Sequence, residues 1–108
     1  MNMNFKVISD SMHPLIKAGD MLTVTEQQET YEIFDVVLFK RSAKLVVHYI
    51  WRNQVKRNNT FITRSLENIY SDEEPVVKDE IVGKVTNFKI GMLLKLKIMA
   101  LCILTGNL

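Results

Sequence analysis

The chain has 108 residues, one domain's worth, and its 47% hydrophobic and 24% charged content with four glycines and two prolines is that of a globular protein, not a disordered or fibrous one. A net charge of +2 with no block of five or more like charges gives no electrostatic footprint for nucleic acid. The single Cys102 excludes an internal disulfide and has no Cys or His at metal-ligand spacing, so it reads as a buried apolar residue and fits a reducing compartment.

The first residues, Met1–Lys6, hold no secretory signal. Ser9–Asp20 is a small-polar run that turns at Pro14 and closes on Gly19-Asp20 before an apolar strand pattern begins. Met21–Thr25 is that strand. Glu26–Phe34 is expected to form a surface connection, with Thr25 and Gln28 as a capping box for one helical turn. Val36–Phe39 and Lys44–Trp51 follow as β-branched strands, and Trp51 is expected to be a core residue at a strand end. The basic run Arg52–Arg57, including Lys56, reads as a solvated turn. Asn59–Thr63 is a fourth strand, Ser71–Pro75 an acidic surface loop, and Glu80–Val85 a fifth strand in which Gly83 predicts a bulge or a close backbone approach.

From Ile90 onward the pattern suits either a strand, through Met92, Leu94, Leu96 and Ile98 alternating with Lys95 and Lys97, or a helix over Ile98–Leu104. Ile90–Leu104 falls short of the ~20 apolar residues needed to cross a bilayer. It is expected to pack on the core or dimerise, with peripheral membrane contact as the alternative. Short strands with frequent turns and no long helix between them predict an all-β, mainly antiparallel domain, barrel or sandwich-like, over the whole of residues 1–108.

A serine hydroxyl attacks only if a neighbouring base takes its proton. For Ser11 the candidates are His48, in the middle of a strand, and Lys40 or Lys44, which would need strong desolvation first. His13 is expected to point outward from its turn, and Asp10, Glu73 and Glu74 to be solvated acids.

Ser11-Met12, Pro14 and Gly19-Asp20 resemble the active-site signature of the signal-peptidase and LexA-type serine peptidase superfamily. Leu45-Val46-Val47-His48 is similar to the strand of the archaeal and endoplasmic-reticulum type of signal peptidase, where histidine replaces the lysine of bacterial enzymes. Phe61–Arg64 followed by Glu67–Asp72 resembles the segment leading to the family aspartate, and Ile81–Val85 its closing strand. The likeness spans residues 7–86 in the family's order, leaving an apolar element at 88–108. Tyr49 stands where the family has arginine, Ser65-Leu66 where it has Gly-Asp, and Phe34 where it has glycine; the N-terminal membrane anchor is missing.

The resemblance implies a partly open β-barrel of the LexA and signal-peptidase type. It implies Ser11 as nucleophile, His48 as general base and Asp72 as the group that orients the imidazole, with Ser9 and the Ser11 N–H forming the oxyanion hole. Met12 would pack beneath the loop, and Gly19-Asp20 would turn the chain into the first strand. The expected function is a serine endopeptidase acting on a leader, signal or precursor peptide, with no metal or organic cofactor and no nucleic-acid partner. A catalytically silent peptide-binding domain of the same fold is the alternative. A self-cleaving repressor fits less well, because no DNA-binding helix pair precedes the domain. The expected location is the cytoplasm or a membrane surface, and contact with a membrane or a second copy would run through the apolar C-terminal segment.

Overall fold

A computed structural model of the protein describes residues 2–8, 11–54, 60–67, 72 and 74–105. Among these residues the strands are β1 (Met3–Lys6), β2 (Met21–Val24), β3 (Val36–Arg41), β4 (Lys44–Gln54), β5 (Thr60–Arg64), β6 (Val76–Val77) and β7 (Ile81–Lys84), followed by the helix α1 (Met92–Thr105). All pairings are antiparallel. β1 and β2 form a two-stranded sheet, and a five-stranded sheet runs β6-β5-β4-β3-β7. A bridge between Val24 and Val85 joins the two, and among the described residues neither closes into a barrel. The class is therefore mainly antiparallel β, with α1 settling the open reading of the tail in favour of a helix.

The long β3-β4 hairpin is the spine. Its β-branched and aromatic residues suit a pleated surface buried on both sides, and successive residues serve opposite faces. Val47, Tyr49 and Trp51 of β4 join Leu22, Val24, Leu38, Met12 and Ile16 in the main core, onto which α1 packs through Ile98 and Cys102. The other face of the hairpin, with Val37, Phe39 and Ile50, forms a second cluster with Tyr31, Phe61, Val76 and Ile81. Trp51 and Cys102 are buried as expected.

Gly83 meets both of its expectations. The register between β3 and β7 slips between Leu38 and Phe39, and a Cβ on Gly83 would lie 1.7 Å from the Thr25 carbonyl oxygen. That carbonyl belongs to the chain leaving β2, whose Thr25 N–H bonds to the Lys84 carbonyl at 2.9 Å. Only glycine lets the two sheets meet there. The Gly19-Asp20 turn also stands: Gly19 has a φ of 96°, Asp20 Oδ2 accepts the Lys17 N–H, and the chain enters β2 at the next residue.

Three features depart from the sequence reading. The helical turn expected in Glu26–Phe34 is absent from these described residues. Thr25 and Gln28 do meet, at 3.3 Å, but the Thr25 hydroxyl also bonds to the Lys84 carbonyl and Tyr31 is drawn into the second cluster, so tertiary contacts fix the segment as an irregular connection. β1 was not expected, although Met3 and Phe5 alternate with Asn4 and Lys6 as a half-buried strand should. β6 has only two residues, followed by a 3-10 turn at Lys78–Glu80, too short to leave a periodic trace. Of the basic run, Arg52 is exposed on β4, and residues 55–59 lie outside the described residues.

Candidate active site

His48 faces the second cluster, on the same side of β4 as Val46 and Ile50, with its ring edge against Phe39 at 5.9 Å between centroids. Its Nδ1 lies 2.6 Å from Asp72 Oδ2, a contact between residues 24 apart in sequence. The same Asp72 oxygen accepts the Thr63 hydroxyl at 2.6 Å, and the Asp72 N–H donates to the Thr63 carbonyl at 2.9 Å. Thr63 thus fixes both ends of the aspartate. The sequence reading missed it, since a threonine in a strand carries no signal beyond β propensity; pairing Ile50 with Thr63 in the β4-β5 register is what brings it beside His48.

Burial pushes the Asp72 carboxyl up, but the hydrogen bonds from His48 and Thr63 and the charges of His48 and Arg41 outweigh it and hold the group below the ordinary carboxylate range. Asp72 is therefore an acceptor only, and His48 Nδ1–H is the donor. In the neutral imidazole this leaves Nε2 with its lone pair, the tautomer a general base requires.

His48 and Asp72 line a groove of about 220 Å³ with Phe39, Arg41, Val46 and Glu74. Arg41 Nη1 pairs with Glu74 Oε2 at 2.7 Å, and its Nη2 donates to the Pro75 carbonyl at 3.1 Å. This bracing ties the acidic segment carrying Asp72 to the end of β3. Glu74 is exposed, as expected of a solvated surface acid, and makes its ion pair from there.

The Ser11 turn is fixed by its backbone. The Ser11 carbonyl accepts the N–H groups of Leu66 at 3.0 Å and Glu67 at 3.2 Å, and Ile16 N–H bonds to the Met12 carbonyl. Met12 is buried beneath in the main core, His13 is exposed, and Ser11 itself is half-buried. Tyr49 pairs with Arg64 next to His48, so the turn is docked where the chain leaves β5 beside the histidine strand. Ser11 is not among the described residues lining the His48 groove. Ser9 and Asp10 lie outside the described residues, as do Glu73 and residues 68–71.

Two of the departures from the family pattern have a physical account. Ser65-Leu66 holds the Ser11 turn through a backbone N–H, which any residue supplies, while the Leu66 side chain packs on the main core. Tyr49 is buried, and Arg64 is buried with it, its guanidinium 4.0 Å from the Trp51 ring centroid and Nη1 2.9 Å from Cys102 Sγ. Arg64 thereby joins β4, β5 and α1, a role no local pattern announces. Among the described residues, no three His, Cys, Asp or Glu side chains are grouped to hold a metal ion, and no helix is long and apolar enough to cross a membrane. No protein-family model matches the chain, and no curated protein matches it.

Proposed function

We propose that the chain is a serine endopeptidase of the signal-peptidase-like kind, cleaving a leader, signal or precursor peptide with Ser11 as nucleophile, His48 as general base and Asp72 as the residue that orients it. The observation that carries this reading is the 2.6 Å contact of His48 Nδ1 with Asp72 Oδ2, reinforced by Thr63, which sets the imidazole in the proton-accepting tautomer. The docking of the Ser11 turn beside Leu66 and Glu67 supports it, as does the order of serine turn, histidine strand, aspartate and glycine-bearing closing strand. The finer fold assignment, a partly open barrel of the LexA and signal-peptidase type, rests on that same order.

In the proposed reaction His48 Nε2 takes the Ser11 proton as the hydroxyl oxygen attacks the scissile carbonyl. The proton then passes to the leaving amine, and water repeats the sequence on the acyl-enzyme. Asp72 stabilises the imidazolium without taking its proton.

A serine-reactive fluorophosphonate probe tests the reading. Labelling at Ser11 is expected in the native chain and is expected to vanish in Ser11→Ala and His48→Ala. A folded native chain that is never labelled points to the silent peptide-binding domain. Labelling that persists in Ser11→Ala sinks the assignment of the nucleophile.

A further inference from the structure

α1 leaves a broad apolar surface uncovered. It packs inward through Ile98 and Cys102, while Met92, Leu93, Leu96, Ile103 and Leu104 are 71%, 84%, 59%, 65% and 82% exposed. At 3.6 residues per turn these five side chains fall within an arc of roughly 120° on the side away from the core. The two lysines of the helix stand outside that arc on opposite flanks. Lys97 lies at its solvent edge, and Lys95 lies on the other side with Nζ 5.5 Å from the Phe34 ring centroid.

Residues 81–108 contain Lys84, Lys89, Lys95 and Lys97 and no acid; Lys84 pairs with Asp35 at 3.3 Å and Lys95 lies against the Phe34 ring, while Lys89, just before the helix, and Lys97 are exposed. A second copy docked on this face would bring lysines against lysines. A wide apolar arc with Lys97 at its margin and Lys89 just before the helix suits instead an interface whose apolar interior is bordered by negative charge, where a lysine stem lies along the apolar layer and its ammonium group reaches anionic headgroups.

We propose that α1 is a membrane-surface helix that seats the protein on anionic lipid, with Leu93 and Leu96 entering the acyl boundary and Lys97 at the headgroup level. The seat proposed is a peripheral one: the described residues of α1 number 14, fewer than a bilayer crossing needs. It does not depend on Ser11 or on any peptidase activity.

Co-flotation of the full chain with vesicles decides it. The chain is expected to float with mixed phosphatidylglycerol and phosphatidylcholine vesicles at low salt, and to bind pure phosphatidylcholine much more weakly. Added salt should release it. The double variant Leu93→Gln/Leu96→Gln, at positions exposed enough to leave the fold intact by circular dichroism, is expected to lose flotation. Lys97→Gln is expected to weaken binding about fivefold, the effect of one basic charge near an anionic surface. A folded native chain that stays with the aqueous phase, or a double variant that floats unchanged, overturns the proposal. A concentration-dependent dimer that the double variant abolishes, without flotation, names a second copy as the occupant. Binding to polyglutamate but not to vesicles names an acidic protein.

Discussion

Asp72 does two jobs through one oxygen, accepting from both His48 and Thr63. Replacing it with Asn keeps the shape but removes the charge that selects the His48 tautomer. Asp72→Asn is expected to lower kcat by roughly 10³–10⁴ with fluorophosphonate labelling slowed in parallel. Because the folded-state pKa of Asp72 is depressed, its ionised form contributes stability above the unfolded carboxylate value, and that contribution is lost as pH falls through the lower folded value. Urea midpoints of the native chain and Asp72→Asn should therefore differ at neutral pH and draw together in acid. A gap that stays constant down to the acid range would show that charge is not the cause. Phe34 is a second residue under constraint, held at a φ of 73° while its ring stacks on Tyr49 at 5.9 Å and Lys95 stands over it. Phe34→Gly and Phe34→Ala lose the same ring, so any difference reports the backbone, and the glycine variant is expected to be more stable by about 1 kcal/mol in urea unfolding. His48 and Asp72 could be read from the sequence because residue type and order carry information there. Thr63 and Arg64 could not, since their partners are fixed only by strand register and by where α1 lands.

Among the elements, β7 meets the end of β2 closely enough to exclude a side chain at Gly83. Gly83→Ala forces a Cβ into the Thr25 carbonyl, a backbone atom that cannot swing aside as a side chain can. The variant is expected to lose on the order of 3 kcal/mol in urea unfolding. An unchanged midpoint would mean that the two sheets part at little cost. Strands with three or more β-branched or aromatic positions, β3, β4 and β5, were legible to within a few residues because burial on both faces demands such side chains. β1 and β6 were not, since each is short and each draws its order from a partner: β1 from β2 and β6 from β5. The tail was ambiguous for a related reason. α1 buries only a narrow side, so its exposed apolar residues blur the helical period that a covered face would have shown.

Over the whole molecule, two hydrophobic clusters share one hairpin. Trp51 reports on the main cluster, whereas Val37, Phe39 and Ile50 of the same two strands belong to the other. Neither cluster can melt without unpairing the strands that support its neighbour, so unfolding is expected to be a single transition. Trp51 fluorescence and far-ultraviolet circular dichroism should give one urea midpoint; two separated midpoints would mean the clusters are independent units. The alternation along β4 also sets a direction. Tyr49 and Trp51 look toward α1, while His48 looks the opposite way, toward Phe39 and the Arg41-Glu74 brace. A molecule resting on α1 therefore turns its imidazole toward the water, and a peptide reaching it must stand clear of the lipid by the thickness of a sheet.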